Sequence, residues 1–134
     1  MINRGKLKEF LQEKEIYYKT QTKYSTNNTE EQQTNKQIYE AITLLTKTLE
    51  QCQNKPDEYL IEQINKHMKN YSQQYNNMLT KPLNKRIGTA RAYSTIKTIR
   101  NQIRRGDFTW YSIYYYPYKK LIKHKITLTK QTKK

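Results

Sequence analysis

The scarcity of aliphatic side chains is the feature that most limits what this chain can fold into. Leucine (10), isoleucine (13) and phenylalanine (2) supply 25 of the 134 residues, about 19%, and valine is absent. That fraction lies just below the level at which composition and high net charge become typical of disordered chains. The length suits one ordinary domain and not two. We therefore expect a small core and no deep apolar pocket of the kind that compact enzymes use.

Net charge is distributed unevenly along the chain. The total is +15. Residues 1–80 contain 11 lysines and arginines against 10 acids, whereas residues 81–134 contain 15 against the single acid Asp107. An A/T-rich genome favours lysine codons in both parts alike, so codon bias does not explain the division, whereas a polyanionic partner does. We predict a near-neutral helical part, residues 1–80, and a basic, aromatic, nucleic-acid-binding part, residues 81–134.

Two apolar stripes with helical spacing lie in the near-neutral part. Ahead of them, Lys6–Tyr18 shows a short amphipathic pattern, and residues 20–35 are expected to form a polar connector in which Asn28 or Thr29 caps the next helix. The first stripe comprises Ile38, Ile42, Leu45, Leu49 and Cys52. The second comprises Ile61, Ile64, Met68, Tyr71, Tyr75 and Met78.

These stripes predict an antiparallel helical hairpin of coiled-coil type over residues 29–80. Pro56 breaks the chain between them and suits the first position of a helix, where Asp57 and Glu58 complement the helix dipole. We interpret the stripes as core packing. The alternative is an exposed groove for a partner helix, which Tyr71 and Tyr75 favour. The hairpin is the part expected to contact neighbouring proteins.

The basic part is predicted to contain one further long helix. Leu83–Gly88 is expected to be a basic loop, and Thr89 is the candidate cap of a helix over Ala90–Arg105. Gly106 is expected to end this helix at the C′ position. The buried stripe of the helix comprises Ala92, Ile96, Ile99 and Ile103.

An aromatic segment and a lysine-rich tail follow. Asp107–Tyr118 alternates like a strand, and residues 125–129 form a short alternating piece that is predicted to pair with residues 108–116 as a hairpin. Phe108, Trp110 and Ile113 are expected to anchor the segment on the helices. The predicted fold is therefore mainly α: an antiparallel helical hairpin plus a basic helix, with a C-terminal aromatic strand-like segment and a basic tail.

Cations and aromatic side chains in the basic part form the candidate nucleic-acid surface. Five of the six arginines lie between residues 86 and 105, and a guanidinium group binds phosphate bidentately or stacks on a base. Cations on a helix neutralise phosphates, and tyrosines stack on unpaired bases. A solvated basic face is the alternative interpretation. The candidate residues are Lys85, Arg86, Arg91, Tyr93, Lys97, Arg100, Arg104, Arg105, Tyr114, Tyr115, Tyr116, Tyr118, Lys119, Lys120 and Lys123.

The sequence contains no recognisable catalytic or metal-binding arrangement. His67 and His124 lie far apart, and neither has a histidine or cysteine three or four residues away. Cys52 is the only cysteine, and we interpret it as a small apolar residue on a helix seam. Phosphate-binding glycine loops, CxxC pairs and nucleophile elbows are absent. We expect no enzyme, cofactor, metal or small-molecule substrate, and no membrane span, because no run of about 18 apolar residues occurs.

The whole layout resembles the ribosomal proteins encoded in ciliate mitochondrial genomes. The resemblance lies in a small, basic chain whose basic helix leads into an aromatic segment and a lysine-rich tail. A presequence is not expected, because residues 1–28 include Glu9, Glu13 and Glu15 and transit peptides avoid acids. The resemblance implies a structural role on ribosomal RNA and synthesis inside the mitochondrion. The cytoplasm of an A/T-rich microbe, or its phage, is the alternative location.

Two other functions fit the same charge pattern. A phage or viral DNA-binding protein would use Ala90–Arg105 as a recognition helix, with Asn101, Gln102 and Arg105 facing base edges. An accessory subunit of an organellar membrane complex would place the basic tail against anionic lipid head groups.

Overall fold

Four helices make up the described part of the chain. The structure, a computed structural model, describes residues 1–24 and 29–109. Helix α1 spans Arg4–Tyr24, α2 spans Thr29–Gln51, α3 spans Asp57–Asn77 and α4 spans Leu83–Arg104. The prediction of a mainly α fold is confirmed. The predicted strands lie outside the described residues except for 107–109, where Asp107 and Phe108 are both buried. Within the described ranges, no helix is apolar enough over sufficient length to cross a bilayer.

The polar connector predicted for residues 20–35 is wrong, because helices extend into it from both sides. Helix α1 continues to Tyr24, and α2 begins at Thr29. The hydroxyl groups of Thr20 and Thr22 donate to the carbonyl oxygens of Ile16 and Tyr18, both at 2.8 Å. Because these hydroxyl groups are satisfied by the preceding turn, the helix tolerates them in its interior.

The basic loop predicted for Leu83–Gly88 is also wrong, because these residues form the first turns of α4. The helix begins after Pro82, and Thr89 lies buried inside it instead of capping it. Gly88 is buried against α2, where an added Cβ would overlap the side chain of Gln37. Burial of the α4 stripe keeps this residue in the helix despite the low helix propensity of glycine.

Helix α4 lies between α2 and α3, and α1 packs against α2. The predicted hairpin turn is present, with Pro56 immediately before α3 and Asp57 and Glu58 in its first turn. The two helices of the hairpin touch each other only slightly, because α4 occupies the space between them. All four helices contribute to one apolar core, whose largest fully buried side chains are Leu7, Leu11, Ile42, Leu60, Ile96 and Phe108.

The end of α4 is fixed by a glycine and by the buried Phe108. Gly106 has φ +87, the left-handed conformation predicted at C′. Its N–H donates to Ile103 O, and the Asp107 N–H donates to Gln102 O, which is the Schellman pattern. The chain then brings Phe108 onto Phe10 of α1, with the ring centroids 5.1 Å apart. The prediction that Phe108 anchors this segment on the helices is confirmed.

The N-terminus is tied to the turn between α2 and α3. Arg4 donates hydrogen bonds to the carbonyl oxygens of Cys52 and Lys55 and forms an ion pair with Asp57 at 3.1 Å. The Ile2 N–H also donates to Asp57, at 2.9 Å. Burial by itself would raise the pKa of Asp57, but these two donors hold it below its ordinary value.

We expect Asp57→Asn to remove part of the acid sensitivity of folding. Because the pKa of Asp57 is lower in the folded chain, its contribution is present above about pH 5 and is lost as the pH falls below about 4. The variant should lose about 1 kcal/mol of unfolding free energy at pH 7, since solvent screens this partly exposed pair. Urea titrations at several pH values should show the difference shrinking towards pH 2. A constant difference, or an equal loss in the exposed-site control Glu62→Gln, would contradict this account.

Candidate nucleic-acid interface

Helix α4 combines a buried stripe with six cations and no acid. Its apolar stripe, Ala92, Ile96, Ile99 and Ile103, is buried as predicted. Burial of this stripe fixes how α4 is rotated about its own axis. The positions of α4 outside the stripe then lie either on the side near α3 or on the side near α1. The six cations of α4 are Lys85, Arg86, Arg91, Lys97, Arg100 and Arg104.

The side near α3 carries four of the predicted contact residues, here called the ridge: Tyr93, Lys97, Arg100 and Arg104. Tyr93 is half-buried against the core, and the Lys97 ammonium lies 6.0 Å from its ring centroid. The Arg100 guanidinium donates to the amide oxygen of Asn65 on α3 at 3.2 Å. Lys97 and Arg104 are exposed. The ridge therefore presents two exposed cations and a third whose partner is a neutral amide, so its positive charge is not neutralised.

The N-terminal turn of α4 adds two more predicted cations. Lys85 is exposed, whereas Arg86 is half-buried. The Arg86 guanidinium carbon lies 5.8 Å from the ring centroid of Tyr75 on α3, within the range of a cation–π contact. The Arg86 Nε is buried and has no hydrogen-bond partner in the described part of the chain. A guanidinium held on an aromatic ring in this way keeps a defined direction.

Arg91 and Arg105 lie away from this ridge. Arg91 faces α1 across a groove, and Arg105 binds the carboxylate of Asp107, with its Nε 2.7 Å from Oδ2. Arg105 is thus locally paired with the one acid of the basic part. The remaining predicted contacts lie outside the described residues: Tyr114, Tyr115, Tyr116, Tyr118, Lys119, Lys120 and Lys123.

The groove between α1 and α4 was not predicted from the sequence. Its floor is formed by Ile38 of α2 and Ile99 of α4. A polar line of α4 forms one wall, consisting of Arg91, Ser94, Thr95, Thr98 and Gln102. Residues of α1 form the other wall, namely Phe10, Lys14 and Tyr18. The spacing of both sets was visible in the sequence, but that α1 and α4 both pack against α2 was not.

The two residues whose types suggested metal or redox chemistry have structural contacts. His67 of α3 lies with Nε2 2.8 Å from the hydroxyl oxygen of Thr48 on α2. Burial lowers the pKa of His67, which favours its neutral form. Cys52 is buried at the end of α2. Among the described residues, no three histidine, cysteine or acidic side chains form a group that could hold a metal ion.

Two of the three residues proposed to face base edges in a DNA recognition helix already have hydrogen-bond partners within the chain. Asn101 accepts a hydrogen bond from Arg100, Gln102 lines the groove, and Arg105 pairs with Asp107. In addition, α4 packs against both α2 and α3. A helix enclosed on two sides presents a narrower surface than the recognition helices that enter a major groove.

Comparison with known proteins gives no relative from which a function can be transferred. No family model matches the sequence, and neither the curated proteins nor the solved structures yield a significant match. The function is therefore inferred from the charges and contacts of this chain alone.

Proposed function

We propose that the protein is a non-enzymatic RNA-binding protein with a structural role, and specifically a component of a mitochondrial ribosomal subunit. One observation carries the proposal: α4 is built into the core and carries six cations without one acid. Cations held on a rigid helix bind a phosphate backbone without first having to be ordered. The lysine-rich sequence after Thr109, which contains seven lysines and no acid, adds to the same positive charge.

RNA fits these features better than duplex DNA. The cations of α4 are spread over the side near α3 and the side near α1, and tyrosines accompany them on both. Aromatic rings next to cations suit unpaired bases, which folded RNA exposes in loops and bulges. Duplex DNA buries its base faces by stacking and is read through base edges in its grooves.

The hairpin is proposed to contact neighbouring proteins in the same particle. Tyr39, Leu44 and Tyr71 line a shallow groove between α2 and α3. Leu79 and Leu83, near the turn into α4, are 53% and 61% exposed. Tyrosine is enriched at protein contacts, because its ring is apolar and its hydroxyl group is polar.

The proposal predicts that Lys97→Gln combined with Arg104→Gln weakens binding to RNA and flattens its salt dependence. For each phosphate that the variant no longer binds, the slope of log affinity against log salt should fall by about 0.7–0.9. The measurement is a salt titration of the full-length protein with fluorescent RNA, beside circular dichroism to verify helix content. The matched control is Lys66→Gln combined with Lys69→Gln, which removes two exposed cations from α3.

The control should keep the wild-type slope. An unchanged slope in the α4 variant would show that this ridge does not contact phosphate, and absence of RNA binding by the wild-type chain would remove the proposed function altogether. A ribosomal role further requires that the protein sediment with a ribosomal subunit and be released by high salt.

A further inference from the structure

The groove between α1 and α4 is a concave feature lined by aromatic, cationic and hydroxyl-bearing side chains. It encloses about 230 Å³. Its lining combines two aromatic rings, Phe10 and Tyr18, with two cations, Lys14 and Arg91. The hydroxyl groups of Ser94, Thr95 and Thr98 lie along α4 between Arg91 and the end of the helix. The apolar floor, the aromatic side chains of α1 and the polar side chains of α4 therefore line the same groove.

The charge of this groove is positive. Lys14 and Arg91 are exposed, and the groove has no acid in its lining. Glu30 and Glu31 line only a neighbouring depression, which Arg91 and Tyr18 share. An anionic ligand is therefore attracted to the stretch between Phe10 and Arg91 and repelled from the start of α2.

One polar atom at the groove has no partner. The side-chain oxygen Oε1 of Gln102 is buried and finds no hydrogen-bond partner among residues 1–24 and 29–109. A buried acceptor without a donor is costly, and a ligand that donates a hydrogen bond relieves that cost. The exocyclic amino groups of bases, the N–H groups of uracil and guanine and the ribose 2′-hydroxyl are donors of this kind.

The ring of Tyr18 is held as a platform at one end of the groove. Tyr17 packs against it edge to face, with the centroids 4.9 Å apart. Burial raises the pKa of Tyr18, Tyr17 raises it further, and Arg91 opposes the rise. The phenol is therefore neutral at physiological pH and adds no negative charge to the groove. At the other end, the Lys14 ammonium lies 5.5 Å from the ring centroid of Phe10.

We infer that this groove binds an unpaired nucleotide of a single-stranded RNA segment, with Tyr18 stacking on the base and Lys14 and Arg91 contacting the flanking phosphates. The inference rests on the proposed function. It adds that the bound RNA is single-stranded and that the groove between α1 and α4 is the binding site. Ser94 and Thr98 are exposed along the wall and supply hydroxyl groups for the sugar or base edge.

Single-stranded RNA fits the groove better than a protein helix or a duplex does. A protein helix docks an apolar face into a hydrophobic groove, whereas the walls of this groove carry two cations and three serine or threonine hydroxyl groups. In a duplex the bases are stacked on one another and inaccessible to Tyr18. An acidic peptide would satisfy Lys14 and Arg91, but it would make no specific use of aromatic faces.

The test compares two RNAs of equal length and charge density, one single-stranded and one fully duplex, on the full-length protein. Tyr18→Leu should weaken binding of the single strand by about 5- to 150-fold, the range of one stacked base. It should affect the duplex much less. Tyr18→Phe retains the stacking face and should retain most of the affinity. The matched control is Tyr59→Leu, which removes an exposed tyrosine next to Lys55 on another surface.

A second variant tests the cations without disturbing the core. Lys14→Gln combined with Arg91→Gln replaces exposed side chains. The single-strand salt slope should fall by about 0.7 for each phosphate that the variant no longer binds. Ultraviolet cross-linking of RNA containing 5-iodouridine should then identify a peptide that includes Tyr18 or Phe10 in the wild-type protein.

The outcomes separate the inference from the proposed function. If the wild-type chain binds RNA while Tyr18→Leu and the Lys14/Arg91 variant bind both RNAs as it does, the groove is not the site, although the protein remains RNA-binding. Equal losses for single strand and duplex would also overturn the base-stacking role. If the wild-type chain binds an acidic peptide and no RNA, both the inference and the proposed function fail.

Discussion

Replacing Phe108 with alanine is expected to lower the free energy of unfolding by about 3–5 kcal/mol. The side chain is 1% exposed and packs on Phe10, although it lies beyond the last helix. Its carbonyl oxygen also accepts the Asn3 N–H at 2.6 Å. Domains of this size are stable by only about 5–15 kcal/mol. The loss should therefore be a large fraction of the total, because truncation leaves a cavity beside α1 in the shared core.

Urea unfolding followed by circular dichroism measures this effect. The matched control is Leu79→Ala, which shortens a side chain that is 53% exposed and should change the unfolding free energy by less than about 0.5 kcal/mol. Similar small losses in both variants would show that Phe108 is not an anchor of the core.

A chain that ends at Thr80 is expected to lose cooperative unfolding altogether. Although the charge changes at this point of the sequence, the core does not divide there, because α4 lies between α2 and α3. Without α4, the apolar stripes of these two helices face solvent, including Ile42 and Leu60. A chain that ends at Thr109 keeps all four helices and Phe108, and it is expected to unfold in one cooperative transition. A sharp transition in the shorter chain would mean that the hairpin folds without α4.

The dual role of α4 affects how its variants are interpreted. Ile96 is fully buried, whereas Lys97, the next residue, is exposed. Changes on the ridge are therefore expected to alter RNA affinity with little effect on folding. Changes on the buried stripe should alter folding first, and RNA affinity only through the folded fraction.

The two halves of the sequence differ in charge but share one fold. Three cations of the near-neutral part, Arg4, Lys6 and Lys14, have roles that its balanced charge conceals. Arg4 ties the N-terminus to the α2–α3 turn, and the Lys6 ammonium donates to Thr109 O at 2.8 Å. Lys14 lines the α1–α4 groove. Because charge counts along a sequence average over neighbours, they do not show which single cation faces a partner.

Local sequence patterns predicted the helices, because the formation of a helix depends on contacts between residues that are only a few positions apart. The stripe of α2 and the stripe of α4 were both identified from spacing alone, and both are buried. Pro56 before α3 and Gly106 after α4 also follow from backbone geometry, since proline fixes φ and glycine accepts a positive φ. The sequence by itself therefore determined the helical class, the buried faces of α2 and α4 and two of the helix boundaries.

Only the tertiary structure decided which stripe packs against which. Apolar stripes of similar width are interchangeable in a sequence, so nothing local showed that α4 would lie between the helices of the predicted hairpin. The same arrangement packed both α1 and α4 against α2 and so created the groove that contains Tyr18 and Arg91. It also buried Gly88 and Thr89 inside α4, where the local sequence predicted a loop and a cap. These features depend on contacts between residues distant in sequence, and their energies become defined only once the whole core is assembled.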